Sequence, residues 1–433
     1  MSTKIAALVC AILALFTASF EAFAEAAEFR GLGGGSTTAY AAAVSGDGTV
    51  VAGFNFDGTV GYRWTESGGV TTFAFQPSDV SFDGSVIVGI RNPGATEFEA
   101  VRWTQAGGVV GLGDLSSDDG SVYSSALGVS GDGSVVVGST AGAPFKWTAL
   151  AGGMSAWPPP PDVPAEAYNG FNSGVSADGS ITAGGYQIDV AAPPPLFMRT
   201  ETHYFRAVGG KVADEDKITA MSLLSSASGI SGNGQVIFGQ ASNQAAFWSG
   251  GNVHNTVGPL ASWFDGASFT GDCIVGTSMS GTTAAMIWDD VHEFRDLRTV
   301  LENDFGLAAE LSDWTLTQAN DVSDDCTTIV GTGIYQNTNQ AWIVTNFSKN
   351  GLTSTTTTTI GGQPKCAQPV SAGSLPVASD CLFILRVAVG NEVCPSGCIC
   401  APKGTLPTTA TDALLCLKTA VGQSVTLSCP CAG

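Results

Sequence analysis

The sequence predicts an all-β protein whose main part is a seven-bladed β-propeller. A motif of the form Val-Ser-x-Asp-Gly, followed by a β-branched run and a Gly, occurs seven times, and a Trp follows six of the copies. Repeats of about 40 to 50 residues are typical of propeller blades. A content of 56 Gly and only 13% charged residues favours short strands joined by tight turns. We interpret the copies as beginning at Val44, Val80, Val129, Val175, Ile230, Phe269 and Val322.

Each repeat has enough turn signals for about four strands. In the first copy, Asp47-Gly48 favours a two-residue turn because both residue types tolerate positive φ angles. Val50 to Gly53 then supplies a returning strand, and a further strand ends in Arg63-Trp64-Thr65. Gly68-Gly69 marks the turn into the last strand. A single four-stranded sheet would leave apolar residues on both faces, so we expect the repeats to stack around a ring.

The N-terminal segment is predicted to close the ring. The seventh copy stops after Ala341 to Val344 and has no last strand of its own. Glu28-Phe29-Arg30-Gly31-Leu32 resembles Glu293 to Leu297, which occupies the last-strand position of the sixth copy. Residues 28 to 32 should therefore complete the seventh blade and cover a sheet edge that would otherwise be exposed.

Three departures from the repeat predict irregular elements. Pro158 to Pro161 and Pro193 to Pro195 are expected to form loops at one rim near blades three and four, because proline cannot donate to a strand ladder. The fourth copy has Phe205-Arg206-Ala207 where others have Arg-Trp. Apolar residues between Leu297 and Leu311 recur at helical spacing and predict a short helix against the ring.

The chain ends suggest export and a second domain. Lys4, an apolar run from Ile5 to Phe20 and Ala22-Phe23-Ala24 are typical of a cleaved signal peptide, predicted at residues 1–24. We predict the propeller at residues 25–347, a Thr-rich linker at 348–364 and a Cys-rich module at 365–433. No membrane span is expected. The predicted location is secreted or at the cell surface, with the periplasm left open.

An oxidising location favours disulfides over zinc for the ten cysteines beyond the signal peptide. Cys394-x3-Cys398-x-Cys400 has a spacing that could hold zinc, but predicted export and the neighbouring Cys429-x-Cys431 favour a disulfide framework. Cys273 and Cys326 are interpreted as equivalent positions of copies six and seven, where either a bridge between blades or free thiols remain open. The cysteines predicted to form structural disulfides in the module are Cys366, Cys381, Cys394, Cys398, Cys400, Cys416, Cys429 and Cys431.

Residues 28 to 346 resemble the HAF-repeat family of extracellular bacterial proteins in their Val-Ser-x-Asp-Gly-x-Val-x-x-Gly and Ala-x-x-Trp patterns. This resemblance implies secretion and a propeller-like fold and carries no catalytic residues. In the tail, a segment from Gly373 to Gly390 is echoed by Gly404 to Gly422, and the paired loop-helix units are similar to dockerin modules. Asp380 and Asp412 match only the last calcium ligand of such loops, so we expect disulfides, and not calcium, to hold the module.

Candidate binding residues are few. A net charge of -21 disfavours nucleic acid and anionic lipid as partners. The repeated Trp residues are predicted to pack between blades, whereas Trp157 and Trp263 break the register and are predicted to be exposed ligand contacts. The turn residues Asp47, Asp83, Asp132 and Asp178 are predicted to stabilise turns, since one carboxylate per turn is too few for calcium.

Catalysis finds little support in the sequence. His203, His254 and His292 fall at unrelated blade positions, and no catalytic residue, cofactor or metal site is predicted. The favoured function is a secreted, non-catalytic binding or scaffold propeller that recognises a glycan or a surface protein, with an attachment or assembly module at its C-terminus. The alternative is an extracellular glycan-directed hydrolase or lyase. It requires acidic, His or Tyr side chains that converge within the central channel.

Overall fold

A computed structural model of the chain describes two compact units, which divide between Thr353 and Ser354. The described residues are 26–33, 38–94, 97–115, 122–140, 143–151, 153–157, 169–191, 198–209, 211–212, 226–250, 252–255, 259–349, 366–367, 376, 378–388, 400–403, 408–420 and 427–428. The predicted signal peptide and most of the Thr-rich linker lie outside them. Within these ranges, no helix is long and apolar enough to cross a membrane.

The first unit is a seven-bladed propeller, and each blade is an antiparallel sheet of four strands, as predicted. Blades one to three contain β2 (Tyr40–Val44), β3 (Val50–Phe54), β4 (Gly61–Thr65) and β5 (Gly69–Phe73); β6 (Gln76–Val80), β7 (Val86–Gly94), β8 (Glu97–Thr104) and β9 (Gly108–Gly111); and β10 (Ser124–Val129), β11 (Val135–Thr140), β12 (Ala143–Thr148) and β13 (Gly153–Ala156).

Blades four to six follow the same order. They contain β14 (Asn169–Val175), β15 (Ile181–Ala191), β16 (Met198–Val208) and β17 (Lys211–Val212); β18 (Ser226–Ile230), β19 (Ile237–Ala241), β20 (Gln244–Ser249) and β21 (Asn252–Asn255); and β22 (Ser262–Ala267), β23 (Cys273–Ser278), β24 (Ala284–Asp289) and β25 (Glu293–Asp296).

The seventh blade confirms the predicted closure of the ring. It contains β26 (Trp314–Val322), β27 (Ile329–Tyr335), β28 (Thr338–Thr345) and, as its outermost strand, the N-terminal β1 (Glu28–Gly31). Phe29 of β1 is opposite Val344 and packs edge-on against Trp314, with ring centroids 5.2 Å apart. The backbone N–H of Leu32 donates to the carbonyl of Ala341. The first and last strands of the propeller therefore share one sheet.

The repeated Trp residues pack between blades, as predicted. Trp103 of blade two belongs to one core cluster with Val50 and Ala52 of blade one, and Trp248 of blade five packs with Tyr204 of blade four. Trp64, Trp147, Trp288 and Trp342 make the corresponding contacts at four of the five other interfaces. Stacking around the ring therefore buries both faces of each sheet.

The Ser-x-Asp-Gly turn is stabilised by its own side chains. Ser45 Oγ accepts from the backbone N–H of Val50 (2.9 Å) and donates to Asp47 Oδ1 (2.6 Å). Asp83, Asp132 and Asp178 take the same place in the next three blades. Hydrogen bonds from neighbouring Ser hydroxyls and backbone N–H groups hold the pKa of Asp132 and Asp178 below its usual value. The prediction that these residues stabilise turns is confirmed.

The sixth copy begins two residues earlier than the sequence pattern indicated. Ser268, and not the residue after Phe269, takes the serine position, because its N–H donates to Cys273 O and the N–H of Gly271 donates to Ser268 O. The copy is therefore Ala267-Ser268-Phe269-Thr270-Gly271, with Thr270 in place of the usual Asp. The missing Asp concealed the correct register.

The predicted helix after blade six is shorter than its apolar pattern. Helix α1 (Leu297–Asp304) begins at Asp296, whose carboxylate accepts from the N–H of Thr299. Leu307 and Leu311 lie beyond the helix in turns, yet both are buried in the same cluster as Leu297. Helical spacing predicted the burial correctly and the length of the helix incorrectly.

The second unit contains two helices joined by a disulfide. They are α2 (Ala378–Ala388) and α3 (Ala410–Ala420), linked by Cys381–Cys416 with Cα atoms 5.3 Å apart. Cys366 and Cys400 are disulfide-bonded as well. Four of the predicted disulfide cysteines, Cys394, Cys398, Cys429 and Cys431, lie outside the described residues, as does the Asp380 side chain.

Candidate functional site

The central channel is a polar cavity with a volume of about 180 Å³. Each innermost strand has a β-bulge two residues before the position of the motif Val, and the bulge residue lines the channel. These bulge residues are Ala42, Ser78, Leu127, Ser173, Ser228, Asp265 and Asn320. The bulge therefore points one extra side chain of every blade toward the axis.

A closed ring of backbone hydrogen bonds surrounds one mouth of the channel. Its carbonyls belong to the residues that directly follow the motif Ser, which are Gly46, Phe82, Gly131, Ala177, Gly232, Phe269 and Asp324. Each carbonyl accepts from an N–H of the preceding blade, at 2.8 to 2.9 Å. The bond from Asp324 N to Gly46 O closes the circle between blades seven and one. We call this end the turn mouth, because the Ser-x-Asp-Gly turns form it.

Two carboxylates connect neighbouring blades across the channel wall. Asp79 of blade two accepts from the N–H of Val80 (2.7 Å) and from the N–H of Val129 in blade three (2.8 Å). Asp321 of blade seven accepts in the same way from Val322 and from Val44 of blade one, both at 2.8 Å. At the position directly before the motif Val, where these two blades have Asp, four blades have Gly and one has Ala. The two aspartates are therefore equivalent inter-blade clamps.

Two further carboxylates complete the acidic lining. Asp265 is the bulge residue of blade six and accepts from Thr277 Oγ1 at 3.0 Å and from the indole of Trp263. Asp324 lies at the turn mouth, near Gly46. Among the described residues, no Lys, Arg or His lines this channel. The lining thus combines four carboxylates with small and apolar side chains.

Burial makes these carboxylic acids weak. It raises the pKa of Asp79 and of Asp265 to about 7 and that of Asp321 to about 8. The charge of Asp79 raises the pKa of Asp321 further, and the backbone hydrogen bonds oppose this effect. The pKa of Asp324 is also raised, by burial and by the neighbouring Asp325. Near neutral pH, Asp79, Asp265 and Asp321 are therefore poised to hold or release protons.

The two predicted ligand contacts have other surroundings. Trp157 is only 6% exposed, with its ring 6.0 Å from Lys146 Nζ. The prediction that it is exposed is wrong, because Trp157 continues the pairing of β13 with β12, where its N–H donates to Pro144 O. Trp263 is half-buried on the first strand of blade six and holds Asp265. The position of each Trp in the sequence did not show whether its side chain is exposed or packed against other side chains.

The structure brings together Cys273 and Cys326, which form a disulfide between blades six and seven. Their Cα atoms are 6.1 Å apart. The interpretation that they occupy equivalent positions is wrong. Cys273 begins a second strand, at the position of Val50, whereas Cys326 takes the position of the turn Gly48.

The two histidines whose side chains are described, His203 and His292, lie in blades four and six. His203 lies on β16 with its ring 5.5 Å from that of Tyr186, and His292 contacts Asp289 in the turn before β25 at 3.1 Å. The side chain of His254 lies outside the described residues. Within the described part of the chain, no group of three His, Cys, Asp or Glu side chains is arranged to hold a metal ion.

The rim opposite the turn mouth is uneven. The β15–β16 hairpin pairs over eleven residues per strand, from Ile181↔Val208 to Ala191↔Met198, whereas β3 and β4 pair over five. The two strands of blade four therefore extend beyond those of blade one on this side. The proline cluster at 193 to 195, predicted to form a loop, lies outside the described residues.

Taken together, these features define a closed, seven-bladed propeller with an acidic channel. No protein family matches the chain, and no curated protein does. Among solved structures, it is similar to the propeller domain of the Trilobed protease from Pyrococcus furiosus, at 10% identity and a TM-score of 0.46, covering 75% of this chain and 97% of that one.

Two other solved structures are similar at the same level. The complex of catalytically inactive virginiamycin B lyase from Staphylococcus aureus with quinupristin has 11% identity and a TM-score of 0.44, and covers 74% of this chain and 98% of the lyase. The Cps50 (Swd1) propeller of Myceliophteria thermophila has 10% identity and a TM-score of 0.41, covering 72% and 98%. Likeness at this level carries no activity over to this chain.

Sequence reasoning missed all four channel carboxylates. The available signal was the residue directly before the motif Val, which is Asp in the second and seventh copies and Gly or Ala elsewhere. Aligning the copies on this position would have identified Asp79 and Asp321. Asp265 required the corrected register of the sixth copy, because its role depends on the bulge.

Proposed function

We propose that this protein is a secreted, non-catalytic binding or scaffold propeller that recognises a glycan or a surface protein through its mouths and rim. Its Cys-rich module would attach or assemble it outside the cell. The observation that carries this proposal is the size of the channel. At about 180 Å³ it is smaller than the roughly 300 to 1,000 Å³ of ordinary ligand pockets.

The hydrogen bonding of the channel supports the same conclusion. Asp79 and Asp321 each use both carboxylate oxygens to hold backbone N–H groups of two blades, and Asp265 is held by Thr277 and Trp263. A side chain held in this way is well suited to a structural task and poorly placed to move toward a substrate. Binding is therefore expected outside the channel.

The alternative is a glycan-directed hydrolase or lyase, and one observation favours it. Asp79 and Asp321 have pKa values near neutrality, as a general acid requires, and they lie in one cavity. Such an enzyme would need to admit one sugar unit between them. The 180 Å³ channel argues against this entry.

The test combines a binding screen with an activity assay on the mature full chain. We expect retention on a glycan array or on an array of extracellular proteins, and no release of reducing ends from any retained polysaccharide. Release of reducing ends that is abolished in Asp79→Asn or Asp321→Asn would favour the enzyme. Failure to retain any glycan or surface protein would refute the binding proposal.

A further inference from the structure

The turn mouth carries an open depression of about 560 Å³, within the usual range of ligand sites. It is lined by Gly131 and Ala177 and by the side chains of Phe82 and Phe269. Asp132, Asp324 and Asp325 complete the lining. The depression exists because most blades place Gly or Ala directly after the motif Ser, so that only Phe82, Phe269 and Asp324 project from the ring of backbone hydrogen bonds.

The two phenylalanine rings are exposed, and each lies over a glycine that has no side chain to collide with the ring. Phe82 is 46% and Phe269 is 40% exposed. Phe82 lies over Gly46, where an added Cβ would come within 2.4 Å of its ring, and Phe269 lies over Gly232, where the distance would be 2.6 Å. Two exposed aromatic rings at one mouth present apolar faces that the fold itself leaves uncovered.

The charged side chains that line this depression are all acidic. The Asp325 carboxylate accepts from the hydroxyls of Ser323 and Thr327 in its own turn, whereas the Asp324 carboxylate has no hydrogen bond or ion pair to any described residue. No Lys, Arg or His of the described chain lines the depression. An added Cβ at Gly46 would lie 2.4 Å from the Phe82 ring and 2.9 Å from Asp324 Oδ2, so the ring and the carboxylate are neighbours.

Aromatic faces beside an unpaired carboxylate suit a side chain that is apolar along its stem and cationic at its tip. Lysine and arginine have this character, and their cationic ends are attracted to aromatic faces. The net charge of -21 would draw a basic partner toward the protein. The open shape also leaves space for the backbone on either side of the bound residue.

We propose that the turn mouth binds a lysine or arginine side chain presented by an exposed, basic segment of a partner protein. This inference rests on the proposed binding function and specifies the partner and the site. Phe82 and Phe269 would contact the aliphatic stem, and Asp324 would receive the charge.

The test measures binding of a fluorescein-labelled peptide, Gly-Ser-Gly-Lys-Arg-Lys-Gly-Ser-Gly, to the full mature chain by fluorescence anisotropy. Its counterpart carries three Gln in place of the basic residues. We expect the basic peptide to bind, its affinity to fall with added salt, and the Gln peptide not to bind. In Phe82→Ala/Phe269→Ala the affinity should fall about tenfold or more. Asp324→Asn should also weaken binding.

Phe56→Ala is the matched control, because Phe56 is 69% exposed in the turn between β3 and β4, at the opposite end of the channel. It should bind the peptide as the wild type does. Undiminished affinity in the Phe82/Phe269 double variant would overturn the inference, because attraction to the overall charge would then suffice. Absence of peptide binding would also overturn it. In either case the proposed binding function stands if the glycan or protein screen succeeds, and falls only if that screen fails too.

Discussion

Cys326 pairs with Cys273 at the one blade interface where a cysteine replaces the turn glycine. At the other six interfaces, the turn glycine packs against the residue of the preceding blade that lies five positions after the motif Ser, at or just before the start of the second strand. A Cβ added at Gly84 would lie 2.2 Å from Val50, and one at Gly133 would lie 2.4 Å from Val86. The corresponding pairs are Gly179 and Val135, Gly234 and Ile181, Gly271 and Val236, and Gly48 and Thr328. The disulfide therefore substitutes for a packing contact that the repeat makes everywhere else.

This equivalence predicts how the bridge can be replaced. Cys326 has a φ of 62°, a conformation that favours glycine. We expect Cys273→Val/Cys326→Gly to fold and to lose about 2 to 4 kcal/mol of the free energy of unfolding, the usual contribution of a disulfide. Cys273→Ser/Cys326→Ser should lose about 1 kcal/mol more, because it keeps a side chain at positive φ and buries two hydroxyls.

Urea denaturation of the two double variants and the wild type measures these differences. The wild type under reducing conditions serves as the control for the loss of the bond alone. Equal stability of the Val/Gly and Ser/Ser variants would show that the bridge does not occupy the site of a Gly–Val contact.

Closure by the N-terminal strand makes a second prediction. Phe29 is buried against Trp314 and Trp342. Phe29→Ala should therefore lose about 3 to 5 kcal/mol of stability, the usual effect of removing a buried Phe side chain. It should also speed amide hydrogen exchange in β28, which pairs with β1.

The exposed neighbour Glu28→Ala is the matched control, since it lies on the same strand and should change neither quantity. Hydrogen exchange of residues 338–345 followed by mass spectrometry measures the local effect. Normal protection of this strand in Phe29→Ala would mean that β1 does not hold the last blade closed.

Sequence patterns predicted the ring well because seven copies of one motif indicate the same strands and turns, even where a single copy is ambiguous. The match of Glu28-Phe29-Arg30 to Glu293-Phe294-Arg295 found the closing strand, since both segments fill the outermost position of a blade. The patterns failed where one copy departs from the rest. Thr270 stands where other turns have Asp or Asn, and this substitution shifted the register of the sixth copy and hid Asp265.

The channel residues were missed for a different physical reason. In a regular strand, successive side chains point to opposite faces of the sheet. A bulge interrupts this alternation, so the strand pattern does not show where the side chain of a bulge residue points. Asp79 and Asp321 look like ordinary surface residues in the sequence, because nothing local reveals that N–H groups of Val129 and Val44 in other blades lie beside them. Inter-blade contacts of this kind depend on ring closure.

The raised pKa values of the channel carboxylates predict a pH dependence of stability. Asp79 and Asp265 have a pKa of about 7, and Asp321 has one of about 8, against 3.8 for an unperturbed Asp. At a pH between the unperturbed and the raised pKa, these carboxyl groups keep their protons in the folded protein, whereas the same groups in the unfolded chain have lost theirs. The free energy of unfolding should therefore fall as pH rises from about 4 to about 8 and level off above that range.

Asp321→Asn should flatten this dependence, because it removes the channel carboxyl whose pKa, at about 8, is raised the most. Exposed Asp313→Asn is the control and should leave the slope unchanged. Thermal unfolding at pH 5 and pH 8 measures the effect. A wild type that is more stable at pH 8 than at pH 5 would contradict the prediction.

The Cys-rich unit provides a final prediction, which concerns calcium. Asp412 is fully buried, and its carboxylate accepts from the N–H groups of Lys403 (3.0 Å) and Thr409 (2.8 Å) and from the Thr409 hydroxyl (2.9 Å). Lys403 Nζ lies 3.1 Å away. Burial opposes ionisation of Asp412, but these hydrogen bonds keep its pKa below the ordinary value. The lysine ammonium thus supplies the positive charge that a metal ion would otherwise provide.

We therefore expect calcium and its chelators to leave the melting of the unit unchanged. Lys403→Met should destabilise the unit by about 1 to 3 kcal/mol, because Asp412 would keep a buried charge without its cationic partner. Lys418→Met, on the exposed face of α3, should have no effect. Differential scanning calorimetry of the full chain, with calcium and with a chelator, tests both statements. A calcium-dependent rise in the wild-type melting temperature would show that the loops still bind the metal.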